Sequence, residues 1–129
     1  MIVLDTHVLV WAAMDSERLS RVAANAIEAH RRADGLVIAD ITLWELAMLI
    51  SKGRIQAFGT VDVSVKLIAK DAIVRPVTAE IASIAAQFPR EFPQDPADRL
   101  IAATARAEGL ALVTRDEKLR ASQHIQTIW

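Results

Sequence analysis

Short, continuously apolar runs alternate along the chain with longer stretches whose apolar residues recur at helical spacing. Ile2-Val-Leu4, Leu36-Val-Ile-Ala39 and Leu110-Ala-Leu-Val113 contain no polar break. Such runs suit strands of a parallel sheet, which is covered on both faces and leaves neither side to water. Ile73-Val-Arg-Pro-Val77 reads as an edge strand, because Pro76 has no N–H to donate to a ladder. Ile125-Gln-Thr-Ile128 reads as a final strand before Trp129.

The intervening stretches predict helices. The first covers His7–Met14. A second covers Glu17–Ala33, with Ser16 as N-cap and Gly35 just beyond its end. Its apolar face would carry Leu19, Val22, Ala23, Ala26, Ile27 and His30. Asp40–Ser51 is a strongly apolar helix ending at Lys52-Gly53, Ile55–Gly59 is a connector, and Asp62–Lys70 is a further helix. Thr78–Gln87 follows, with Thr78 as its cap. Phe88–Pro96 holds three prolines and cannot form regular structure. Asp95 and Pro96 then supply an N-cap and a first-turn proline for a helix that runs to Glu108 and stops at Gly109. Strands alternating with helices imply an α/β sandwich around a mostly parallel sheet.

Composition narrows this picture. A chain of 129 residues suits one domain with one sizeable core, here 1–129. The apolar fraction is 53%, and much of the excess is alanine, which suits close helix packing or a subunit interface. The net charge of −1 supplies no global basic field, so any nucleic-acid contact needs a local patch. With no cysteine, disulfides, thiolate metal sites and Cys nucleophiles are excluded. No apolar run approaches the ~20 residues of a membrane span. The N-terminus lacks the basic region of a signal peptide, so a cytoplasmic protein is the expectation.

Four acids sit where a carboxylate needs a special reason. Asp5 closes the first strand, Glu45 lies within Leu43-Trp-Glu-Leu46, Asp98 lies in the first turn of its helix, and Asp116 follows Leu112-Val-Thr-Arg115. Ligands of parallel sheets collect beyond the carboxyl ends of the strands. Asp5, Glu45 and Asp116 fall on that edge if their strands are parallel, and Asp98 joins them if its helix runs antiparallel to the strands. Each acid also has a plainer explanation. Asp5 can cap the next helix, Glu45 can close a capping box with Thr42, Asp98 can serve the helix dipole, and Asp116 can be a turn residue. A shared edge would require a cation to offset their repulsion. An all-oxygen set selects Mg²⁺ or Mn²⁺, and the chemistry implied is phosphodiester hydrolysis. His7, His30 and His124 show no metal spacing, and no Gly-rich phosphate loop is present.

Val3-Leu-Asp-Thr-His-Val-Leu-Val-Trp11, Leu43-Trp-Glu-Leu46, Asp95-Pro-Ala-Asp-Arg-Leu-Ile-Ala-Ala-Thr-Ala105 and Leu112-Val-Thr-Arg-Asp116 resemble the motifs of PIN domains of the VapC toxin type. The resemblance covers nearly the whole chain. It implies a three-layer α/β/α fold with a parallel sheet of about five strands. It also implies a Mg²⁺- or Mn²⁺-dependent ribonuclease with an RNA substrate and a small antitoxin partner; a homodimer is expected from the apolar, alanine-rich composition. By motif position, the metal-binding acids are Asp5, Glu45, Asp98 and Asp116. Thr6 and Thr114 match polar positions that orient such acids or their waters. Asp95 is expected to cap its helix, with an accessory role open. The segment Glu91-Phe-Pro-Gln94 departs from relatives that carry His and Arg there, which puts a substrate contact from this loop in doubt.

The mechanism expected from the resemblance has Asp5, Asp98 and Asp116 on a divalent ion, with Glu45 completing the site or orienting the attacking water. Arg99, Arg115 and Lys118 lie beside the acids and are candidate phosphate contacts; plain solvation or pairing with the acids is the competing explanation. Lys52 and Arg54 are weaker candidates. Trp11 and Trp44 read as core or interface rather than as base platforms. The helices between Glu17 and Met48 could form a groove for an antitoxin helix, an antitoxin Arg could enter among the acids, and Leu100–Ala107 could contribute to a dimer. The alternative function is a non-catalytic PIN-like module that binds RNA or protein. A receiver-like phosphoacceptor or a haloacid-type phosphohydrolase would need paired acids after the first strand, where this chain has Asp5-Thr-His7.

Overall fold

A computed structural model describes all of residues 1–129. Five strands, β1 (Ile2–Leu4), β2 (Leu36–Ala39), β3 (Ala72–Arg75), β4 (Leu112–Val113) and β5 (Thr127–Ile128), form one sheet in the order β3-β2-β1-β4-β5. Every pairing is parallel, with Val3 opposite both Val37 and Leu112. Seven helices surround it: α1 (Thr6–Met14), α2 (Arg21–Ala33), α3 (Asp40–Ser51), α4 (Val61–Ile68), α5 (Ala79–Gln87), α6 (Pro96–Glu108) and α7 (Glu117–Arg120).

The pleat of the strands divides the core in two. Ile2, Leu4, Leu36 and Ile38 point to one face and pack with Val8, Leu9, Ala23, Ile27 and Leu46 of α1, α2 and α3. Val3, Val37, Ala39 and Leu112 point to the other and pack with Ile81 and Ala85 of α5 and with Ile101, Ala102 and Ala105 of α6. Continuously apolar strands are the result of burial on both faces. The three-layer α/β/α architecture and the edge position of β3 agree with the expectations above, and Pro76 falls one residue beyond that strand. No helix is long and apolar enough to cross a membrane.

Several boundaries differ for identifiable reasons. The Glu17–Ala33 helix is broken. Ser16–Arg18 forms a 3₁₀ turn, Leu19 is extended, and Ser20 rather than Ser16 caps α2 by accepting from the Ala23 N–H at 3.0 Å. A serine that can cap offers the backbone an alternative to continuing the helix. Val22 is consequently 58% exposed, off the apolar face, while Ala23 and Ile27 are buried. Strand β4 starts two residues late because Leu110 donates its N–H to Ala105 O across the left-handed Gly109 (φ 67°), completing the α6 C-cap. Helix α4 starts at Val61, one residue earlier than expected, with Thr60 accepting from the Val63 N–H at 3.2 Å.

Two expectations about surfaces are corrected. Ile101, Ala102, Ala103 and Ala105 are wholly buried inside the protomer, so that part of α6 is not a dimer face. The apolar groove of about 410 Å³ lies chiefly between α1 and α4 rather than along the Glu17–Met48 helices. Ala12, Ala13, Met14, Phe58, Leu67 and Ile68 line it. Of the two readings of Trp44, core or interface, its 59% exposure on α3 leaves the interface.

Candidate active site

Because all strands run the same way, the carboxyl ends of β1, β2 and β4 open on one rim. A cleft of about 560 Å³ lies there, lined by Asp5, Glu45, Asp98 and Asp116 together with Asp95, Glu117, His7 and Arg115. The plainer roles coexist with this placement for several of the acids. Asp5 caps α1, its Oδ1 accepting from the Thr6 N–H at 2.9 Å, while its Oδ2 accepts from the Thr114 hydroxyl at 2.7 Å. Asp116 caps α7, its Oδ1 accepting from the Lys118 and Leu119 N–H groups at 2.9 and 3.1 Å. Asp95 caps α6 by accepting from the Asp98 N–H at 3.3 Å. The Thr42–Glu45 capping box does not form, because α3 starts at Asp40 and Thr42 is buried inside it.

Two threonines hold the acids. The Thr114 hydroxyl gives its proton to Asp5 and accepts from the Asp116 N–H at 3.1 Å. Thr6 donates its hydroxyl to Glu45 Oε1 at 2.6 Å and lies 3.0 Å from the Thr42 hydroxyl. With its one proton given to Glu45, Thr6 accepts from Thr42, so a buried relay of two hydroxyls ends on the Glu45 carboxylate.

The electrostatics are strained toward protonation. Burial pushes the Asp5 carboxyl up, against the opposing bonds from Thr114 and Thr6. Glu45 is raised by burial, with Thr6 opposing and Asp5 and Asp95 adding to the rise. Asp98 is pushed up to about 7, first by burial and then by Asp5, Asp95, Asp116 and Glu45. Carboxylates that repel one another at a half-buried rim favour a bound cation.

The sequence model of the PIN domain matches residues 2–124. This chain belongs to the PIN-domain family. Across its whole length the PIN domain is 40% identical over 130 residues to Ribonuclease VapC22 of Mycobacterium tuberculosis, covering 99% of this chain and 98% of that protein. VapBC2 from Rickettsia felis, solved bound to a DNA fragment from their promoter, superposes with a TM-score of 0.76 at 21% identity over 98% of this chain and 97% of that one. VapBC-1 from nontypeable Haemophilus influenzae gives 0.73 at 19%, over 98% and 96%. The structural likenesses carry the fold, and the family match carries the membership.

Within this PIN domain the remaining candidates separate. Arg115 lines the cleft, its guanidinium 5.9 Å from the Trp11 ring centre, and Lys118 lines the adjoining hollow. Arg99 points elsewhere, which corrects its reading as a phosphate contact. Its guanidinium donates to the carbonyls of Pro93, Ala85, Phe88 and Pro89 at 2.8 to 3.2 Å and so clamps the proline-rich loop. Trp11 is half-buried at the cleft wall, with His7, Trp129, Arg18 and Arg115 around its ring. His7 and Glu117 are cleft residues that sequence reasoning passed over. Their only signal was adjacency, two residues after Asp5 and one after Asp116. No three side chains converge tightly enough to enclose an ion by themselves.

Proposed function

We propose that this PIN domain is a metal-dependent endoribonuclease and the toxin of a VapBC-type toxin–antitoxin pair, acting in the cytoplasm. The observation that carries the reading is the gathering of Asp5, Glu45, Asp98 and Asp116 at one rim, with the Asp98 carboxyl held at about 7 by burial and its acidic neighbours. Full-length similarity to a protein named a ribonuclease supports the substrate class, and structural neighbours solved as VapBC assemblies support the partner.

Asp5, Asp98 and Asp116 would hold Mg²⁺ or Mn²⁺, with Glu45 beside them. When bound, the ion supplies charge neutralisation, polarisation of the phosphate and a more acidic water. The rest falls to the chain. Thr114 aims Asp5 by its hydroxyl proton and fixes the Asp116 backbone through its oxygen. Thr6, backed by Thr42, leaves Glu45 Oε2 to accept a hydrogen bond from the attacking water. Arg115 stands at the wall of the cleft to meet a phosphate oxygen. The groove between α1 and α4 offers an apolar face for an amphipathic antitoxin segment.

The test uses protein purified without its partner and incubated with total RNA and Mn²⁺ or Mg²⁺, beside Asp5→Ala and Asp98→Ala. We expect cleavage by the native protein alone and its loss in EDTA. Cleavage that persists in both variants, or in EDTA, would falsify the metal-nuclease mechanism. Growth arrest on expression, relieved by co-expressing the partner, tests the toxin role; unaffected growth with active protein counts against it.

A further inference from the structure

The cleft does not end at the carboxylates. Asp95, Asp98, Asp116 and Glu117 also line a second hollow, which adds Lys118. Lys118 in turn lines a third hollow, between the proline-rich loop and residues 121–124. Gln123 and His124 carry that surface into a fourth, beside Arg106 and the Gly109 turn. Shared wall residues thus set the four hollows side by side in one row, a segmented furrow from the acids, past α7, to the C-terminal end of α6.

The charge of the furrow changes along its length. Six carboxylates line the first hollow and four the second, only Glu91 lines the third, and none lines the fourth. Lys118 and Arg106 take their place. Both are exposed, and neither forms an ion pair with a carboxylate. Arg106 Nη1 lies 3.4 Å from the His124 carbonyl and 3.5 Å from its Nδ1, and the His124 ring meets the Phe88 ring edge-on. The guanidinium is therefore steadied from one side, with its other N–H groups uncommitted. A polyanion with one phosphate at an acidic cleft needs cations for the phosphates that flank it, and amides or hydroxyls for unpaired bases. Ser122 and Gln123 line the third hollow with Lys118, and Gln123 also lines the fourth with Arg106.

We propose that this furrow binds the single-stranded RNA flank on one side of the scissile phosphate. Lys118 and the Arg106–His124 pair contact its phosphates, and Gln123 lies within reach of its bases. The proposal rests on the ribonuclease reading, so binding and cleavage are measured separately.

Fluorescence anisotropy of a short, labelled, random-sequence RNA is recorded against salt, with Asp98→Asn as the background so that the RNA stays intact. Lys118→Ala, and Arg106→Ala with His124→Ala, each weaken binding several-fold. Each lowers the slope of log affinity against log salt by roughly 0.7 per phosphate contact removed. Lys66→Ala, an exposed cation on α4, changes neither quantity. In the active protein the furrow substitutions raise KM for RNA more than they lower kcat. Native affinity and native salt slope in both furrow variants overturn the proposal, as does a loss confined to antitoxin binding. Weakened RNA binding in these variants, in a protein that never cleaves, supports the furrow and sinks the hydrolytic reading instead.

Discussion

The Thr114 hydroxyl uses its proton on Asp5, 109 positions away, and its lone pair on the Asp116 N–H, so one atom couples the two ends of the chain. Thr114→Val keeps the shape and removes both bonds, leaving Asp5 Oδ2 without its donor in a buried place. We expect a loss of about 1–3 kcal/mol in a urea titration, largely restored by Thr114→Ser; a valine variant as stable as the native protein would refute the coupling. Asp98 acts with the opposite sign. Its folded pKa of about 7 lies above the ordinary 3.8, so folding favours the protonated form. The metal-free protein therefore has this contribution in full below about pH 4 and loses it as pH rises to about 7. Asp98→Asn removes the loss, raising Tm by a few degrees above about pH 7 and leaving it unchanged below about pH 4. Equal Tm values for the two proteins across the whole range would contradict the electrostatic account. The chain displays Asp98 as an ordinary first-turn acid. Its repulsion by Asp5 and Asp116 exists only once distant strands meet.

At the scale of elements, most strands and helices were legible because each obeys one period and carries its own stop signals. Asp40–Ser51 follows directly from its apolar density and its Lys52-Gly53 end. Failures came where a side chain bound the backbone. Ser20 captured the start of α2, and the Gly109 turn took Leu110 away from β4. Arg99 is the largest such case. Beside Asp98 it reads as a phosphate ligand, yet four carbonyls of the α5 end and the proline-rich loop occupy it. A loop with three prolines has few N–H donors of its own, so its carbonyls need an outside partner. Arg99→Ala is expected to cost about 2–3 kcal/mol by thermal or urea unfolding, and Arg99→Lys to restore little, because a lysine cannot reproduce the fork. The salt slope of RNA binding should not move. A fall in that slope with native stability would return Arg99 to the substrate.

For the whole molecule, the parallel sheet gives every strand end the same rim, which lets a chain of net charge −1 gather six carboxylates around one cleft. A divalent ion that binds there and not to the unfolded chain stabilises by mass action, about 2.7 kcal/mol at a hundredfold excess over Kd. Mn²⁺ or Mg²⁺ should therefore raise Tm, EDTA should reverse the rise, and Asp5→Asn combined with Asp98→Asn should abolish it. An equal rise in the double variant would place the ion elsewhere. By itself the sequence determined the alternation of strands and helices, the layer architecture and the identity of the four acids, because apolar periodicity and lone carboxylates in apolar segments are local properties of a chain. Only the tertiary structure decided that His7, Asp95 and Glu117 share the cleft, that Thr114 and Thr6 aim its carboxylates, and that Arg99 faces away from it. Those facts depend on distances between residues far apart in sequence, and such distances arise when the two faces of the sheet are buried.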